Sequence, residues 1–116
     1  MSLTVLPIKV RKKENVFELF DIIIEAFEKN QFSIKEGDVL VISSKFISNS
    51  QGRLIELDSV KTSNQSLVIS KKFRIKPQFV EIIIRESDKI FGGISGFVIS
   101  SSDNILAPNA GIDKSN

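Results

Sequence analysis

Residues 77–100 read PQFVEIIIRESDKIFGGISGFVIS, and the fold class turns on this stretch. Pro77 suits a first helical position, because the N–H it lacks is one that a helix leaves unpaired there anyway. The length and apolar density of QFVEIIIRES predict a helix packed on a sheet. Gly92, Gly93 and Gly96 then punctuate a turn into GFVIS, a strand, and Asp103-Asn104 makes the turn into ILAP. The pattern predicts an α+β fold, a mixed sheet with two or three helices, in one domain over residues 1–116.

On the N-terminal side, Thr62 to Phe73 is ambiguous: SLVIS carries β-branched residues, while NQSLVISKKF also makes an amphipathic helix, which is the preferred reading. Gly52 is a turn, with Leu54 to Leu57 a short strand. In EGDVLVISSKFIS, Gly37-Asp38 is a turn and Val39 to Ile42 is an apolar run of strand length, suited to a sheet covered on both faces. A helix is expected from Val16 to Lys29. Asn15 with Glu18 has the spacing of a capping box, and Asn30 is a candidate C-terminal cap. Val16, Phe20, Ile23 and Phe27 share one face of that helix, opposite Glu18, Asp21, Glu25 and Glu28. LTVLPI is expected as a first strand, closed at Pro7.

Composition excludes several chemistries. The 116 residues include no His, Cys, Trp or Tyr, so a zinc site of nitrogen and sulfur ligands, a Cys nucleophile and a Ser-His-Asp triad are impossible within the chain. What remains is oxygen chemistry. Any metal would be held by Asp, Glu, Asn or backbone oxygens, which suits hard ions such as Mg²⁺ or Mn²⁺. The net charge of +2 is too small to imply a polyanionic partner, and KVRKK, Lys9 to Lys13, reads as a solvated connection before a helix. Phe is the sole aromatic and falls at helical or strand spacing, so no base-stacking platform is evident and no nucleic-acid partner is expected. No apolar run reaches bilayer length, and the N-terminal charges follow the apolar stretch, the reverse of a signal peptide. A cytoplasmic protein is expected.

Three motifs are candidates for chemistry. GGISG lacks both the helix and the Lys-Ser/Thr pair of a phosphate loop and reads as a turn. SSKFISNSQGR follows an expected strand, where ligands bind in α/β sheets and where chains are also simply polar, so both readings stay open. NAGIDKSN, residues 109–116, places Asn109, Asp113 and Asn116 in one short loop with Gly111, which permits a positive φ or a close backbone approach. Taken alone, it reads as an Asx-rich turn before it reads as a metal site.

The order EGDVLVISSKFIS, QGR, FVEIIIRES, then GFVIS and NAGIDKSN resembles the N-terminal half of the coenzyme F420-0:L-glutamate ligase family, the gamma-glutamyl ligases. NAGIDKSN is the most specific element, with IIIRES and GDVLV in support. The resemblance implies a GTP-dependent ligase that joins L-glutamate through an amide bond to a deazaflavin cofactor, by way of an acyl phosphate. It further implies a divalent metal, Mg²⁺ or Mn²⁺, on Asp113, and nucleotide contacts at Asn116, Ser44 and Lys45. A homodimer is implied as well.

The sequence also departs from the family pattern. Where the family reads Ser-Lys-Ala-Glu-Gly-Arg, this chain has SNSQGR, so Asn49 stands at a nucleotide-binding Lys and Gln51 at its acidic neighbour. KVRKKENV lacks the Gly and Pro of the family's nucleotide loop, with Arg11 or Lys12 the residues placed to compensate. Family members are about twice as long. The expectation is therefore an N-terminal portion, truncated or paired with a separate C-terminal half, and inactive alone. The alternative is a non-catalytic nucleotide-binding or dimerisation module of the same descent.

Overall fold

In the computed structural model, which describes residues 1–11 and 15–114, the chain divides into two units, Met1–Leu54 and Ile55–Asn116. The first contains helices α1, Leu19–Lys29, and α2, Ser44–Ser50. The second contains α3, Asn64–Phe73, α4, Pro77–Arg85, and three strands: β1, Lys89–Ile94, β2, Phe97–Ser102, and β3, Ile105–Pro108. Single 3-10 turns cover Leu57–Ser59 and Asn109–Gly111.

Both helices of the first unit are closed by the same device. After α1, Gln31 takes φ 52°, its N–H donates to Glu28 O and the Phe32 N–H donates to Phe27 O. That is a Schellman motif, and the apolar contact that accompanies it is the Phe27–Phe32 ring pair at 5.5 Å. After α2, Gly52 takes φ 69°, its N–H donates to Asn49 O at 3.0 Å, and the Arg53 N–H donates to Ser48 O at 3.0 Å. Asn30 caps α1 as expected, its Nδ2 donating to Ala26 O at 2.7 Å.

The start of α1 differs from expectation. Glu18, not Asn15, is the N-cap, with no side-chain cap hydrogen bond, so no capping box forms. Phe17 instead packs its ring against Phe46 at 5.0 Å. Phe27 is buried as expected, but Phe20 on the same expected face is exposed. Neither LTVLPI nor Val39 to Ile42 is a strand, and Val39 and Val41 are 85% and 87% exposed. A strand exists only with a hydrogen-bonding neighbour. Among the described residues of this unit there is none.

The second unit is built around α4, which opens at Pro77 as expected and buries Phe79, Val80, Ile82 and Ile83. These join Phe73, Ile75 and Val98 in the interior, each such side chain worth about 1.5–3 kcal/mol when fully buried. The ambiguous stretch before α4 is helical because Ser63 caps it, its hydroxyl accepting from Ser66 N at 3.2 Å. Ser63 also donates from its N–H and its hydroxyl to Glu81 Oε2, at 2.8 and 2.6 Å, which ties the head of α3 to α4. Those bonds to the charged form hold the Glu81 carboxyl below its usual range, against the opposing effect of burial, and Ser66 and Arg85 add to the lowering. Leu54 to Leu57 is not a strand; Leu57 begins a 3-10 turn and packs against the core.

The α+β class expected from the sequence is what the structure has. Its sheet is antiparallel rather than mixed, in the order β1-β2-β3, and the described α-helices number four rather than two or three. The strand missing from the sequence reading is β1, where Gly92 and Gly93 lie within the strand. Ile90 pairs with Ser100 and Gly92 with Ile99, so Phe91 is the extra residue of a bulge. Gly93 is there for space: a Cβ would run into the Phe97 carbonyl oxygen. Asp103 and Asn104 have φ 49° and 64°, the two-residue turn that matches the twist of the hairpin it closes. No helix among the described residues is long and apolar enough to cross a membrane.

Candidate functional site

Strand β3 stops at Pro108, opposite Ile99, and the chain then folds back along β2. The next acceptor that β3 would have offered is supplied by a side chain: Asn109 Oδ1 accepts from the Val98 N–H at 3.0 Å. The Ala110 N–H donates to Ser100 Oγ at 3.1 Å, and the Ser100 hydroxyl donates to Ala107 O at 3.4 Å. Within the turn, the Ile112 N–H returns to Asn109 O at 3.0 Å.

This turn is left-handed. Asn109, Ala110 and Gly111 have φ 47°, 54° and 69° in succession. Asn and Gly visit that region readily; Ala does so at roughly 1–2 kcal/mol. Gly111 serves the positive φ, and since nothing lies within 4 Å of where its Cβ would be, it does not serve a close approach. Strain at Ala110 persists because the surroundings hold it: Ala110 and Ile112 pack against the core, and the hydrogen bonds to β2 close the turn.

Asp113 follows directly and is exposed. Its backbone lies between Ile112, packed on the core, and Lys114, whose ammonium sits 5.2 Å from the centroid of the Phe79 ring. The carboxylate thus leaves a segment held on both sides. Asn116, expected beside it as a nucleotide contact, lies outside the described residues, as does Lys12.

Ser44 and Lys45 belong to the first unit. They form the first turn of α2 rather than the end of a strand, Ser44 exposed and Lys45 half-buried. Asn49 lies half-buried in the last turn of the same helix and Gln51 is its C-cap. Of the residues expected at the site, Ser44, Lys45 and Asn49 therefore share one short helix, and Asp113 stands on the second unit's turn.

No group of three or more Cys, His, Asp or Glu able to hold a metal is present among the described residues. One exposed carboxylate fits an ion such as Mg²⁺, which keeps several waters and is bound through one or two carboxylates together with substrate phosphates. It does not fit a metal caged by the protein. A groove between α3 and β1 is lined by Gln65, Lys72, Ser87, Lys89 and Phe91 among others, and holds none of the residues expected from the sequence.

The residue that sequence reasoning missed is Ser100. It is 1% exposed, and in FVISSS nothing marks it out from Ser101 and Ser102 except the alternation that turns Val98 and Ser100 inward.

The sequence model of F420-0:gamma-glutamyl ligase matches residues 7–116, nearly the whole chain and every element just described from α1 onward. The chain belongs to that family. Among curated proteins, the coenzyme F420:L-glutamate ligase of Methanopyrus kandleri is 33% identical over 109 residues, 93% of this chain and 40% of that protein. The coenzyme F420:L-glutamate ligase of Methanothermobacter thermautotrophicus is 32% identical over 96 residues, 82% of this chain and 38% of that protein. That of Methanocaldococcus jannaschii is 30% identical over 87 residues, 74% and 35% of the two chains. This gamma-glutamyl ligase family member thus spans about two fifths of the length of these relatives.

Proposed function

We propose that this chain supplies part of the active site of a GTP-dependent ligase, which joins L-glutamate by an amide bond to the deazaflavin coenzyme F420-0 in the cytoplasm. The observation that carries the reading is the family match over residues 7–116, which includes the turn that holds Asp113. In this reaction the terminal phosphoryl group of GTP passes to a substrate carboxylate, giving an acyl phosphate and GDP. The amino group of L-glutamate then attacks the acyl carbon, the C–N bond forms, the amine gives up one proton to solvent, and inorganic phosphate leaves with the electron pair of the broken C–O bond.

The chain's own residues bind and orient. Ser44, Lys45 and Asn116 are the residues assigned to nucleotide contact, on their match to the family's motifs. Asp113 is the residue that would hold Mg²⁺ or Mn²⁺. When bound, such an ion neutralises charge on the transferring phosphates. Asn49 contributes no charge where the family carries a Lys, which weakens phosphate binding.

The acting assembly is a homodimer, a reading supported by the exposed apolar residues of the first unit, Leu3, Val5, Val39 and Val41 among them.

Calorimetry tests this reading. Among the described residues of the proposed site the chain offers one carboxylate for the metal, Asp113, so GTP with Mg²⁺ is expected to bind weakly or below detection. Fusion to the part of the Methanopyrus kandleri relative that this chain does not match is expected to restore binding. Tight GTP binding by residues 1–116 alone, or none by the fusion, would contradict the proposal. GTP binding by the fusion without glutamate addition would favour the non-catalytic module.

A further inference from the structure

We propose that Ser100 is a positioning residue: its buried hydroxyl clamps the left-handed Asn109–Gly111 turn and so sets the direction in which Asp113 leaves the sheet. The inference rests on the ligase reading of that loop and adds to it a residue that touches neither metal nor nucleotide.

The position is an unusual one for a hydroxyl. Ser100 lies on the inward face of β2 beside Val98, which is 0% exposed, where an alanine would satisfy the packing as well. What alanine cannot do is hydrogen-bond. The Ser100 hydroxyl donates to Ala107 O on the neighbouring strand and accepts from the Ala110 N–H in the turn. One atom therefore joins the last regular part of β3 to the most strained residue after it.

Ala110 is the residue that needs the tether. It is neither Asn nor Gly, yet its φ is 54° and its ψ 26°. If its N–H lost the Ser100 oxygen, it would be a half-buried donor without that partner in a backbone region that alanine disfavours, and both effects favour release of the turn. Asn109 is held separately through Val98, so its bond would hinge the turn rather than fix it. The lever is short. Asp113 lies three residues beyond Ala110, and its direction follows the turn.

Amide hydrogen exchange measured by NMR, with Mn²⁺ and GTP as paramagnetic probe, tests the proposal on the full chain. In the wild type, the Ala110 amide is expected to be protected. In Ser100→Ala its exchange should accelerate at least tenfold, while the Ile83 amide in the interior of α4 keeps its rate. Ser100→Thr, which retains the hydroxyl, should restore protection. Broadening of the Asp113 and Lys114 amides by Mn²⁺ with GTP should need severalfold more metal in Ser100→Ala and recover in Ser100→Thr.

Free exchange of Ala110 in the wild type, or an unchanged rate in Ser100→Ala, would overturn the clamp. So would equal acceleration at Ile83, or a Ser100→Ala chain that does not fold, because the hydroxyl would then be holding the fold rather than the loop. If the Asp113 amide shows no broadening even in the fusion to the remainder of the Methanopyrus kandleri relative, while Ala110 behaves as expected, the metal assignment falls and the clamp stands.

Discussion

The two units of this chain carry similar apolar sequence and make different use of it. In the second, FVISSS pairs on both sides, and its alternate residues Val98 and Ser100 are buried, Val98 in the core that α4 builds. In the first, VLVI at 39–42 has equal or greater β propensity and forms no strand, with Val39 and Val41 exposed. The difference teaches that an apolar run specifies a strand only where another segment offers it a ladder. Propensity describes what a segment suits; pairing decides what it becomes.

Substitutions can break or sharpen that contrast. The largest effect on stability is expected from Ile83→Ala, which opens a cavity in the interior of the second unit. A loss of about 2–5 kcal/mol should be read from chemical denaturation followed at β2. A loss below 1 kcal/mol would mean that this interior is not packed as described.

Acid should act next. Glu81 is held below its usual range by the Ser63 hydroxyl and N–H, so its bonds stabilise the folded state above the ordinary glutamate range, and that contribution is lost as pH falls through the depressed value. Stability of the wild type should therefore decline with falling pH more steeply than that of Glu81→Gln. Parallel pH profiles from thermal melts would contradict the Ser63–Glu81 link.

The smallest effect on stability belongs to the first unit. Replacing Val39 and Val41 together by Ser is expected to leave unfolding of the second unit unchanged within about 0.5 kcal/mol, as exposed positions generally do. If these valines form a face between copies, the same change should shift the mass seen by light scattering from dimer to monomer. A marked loss of stability would show that the run is buried after all.

How much of this was legible beforehand follows the same contrast. Pro77 and the apolar run after it mark α4, Asp103-Asn104 marks the turn between β2 and β3, and Asn30 marks the end of α1, because each signal is local. Strand β1 was not legible. Its two glycines look like turn residues, and only the close passage of Phe97 against Gly93 explains their place in a strand. Helix α2 is hidden for a related reason: the sequence marks Gly52 as a turn, but not as the left-handed residue of a Schellman cap closing SKFISNS.

At the site, NAGID announced itself through its residue types and its resemblance to the family, and Asp113 could be named from sequence. The left-handed geometry of Asn109–Gly111 could not, because Ala110 has no intrinsic reason to adopt it. Nor could Ser100, whose importance arises from a turn ten residues further along the chain.

The most direct measurement of the central claim is glutamate addition by the fusion of this chain to the remainder of the Methanopyrus kandleri relative, with and without Asp113→Asn. An amide in place of the carboxylate keeps the size of the side chain and removes the anionic ligand that a hard divalent ion requires. The account predicts glutamate addition that depends on GTP and Mg²⁺ or Mn²⁺, and its loss in Asp113→Asn with the Ala110 amide as protected as before. Full activity in the Asp113→Asn protein would contradict it.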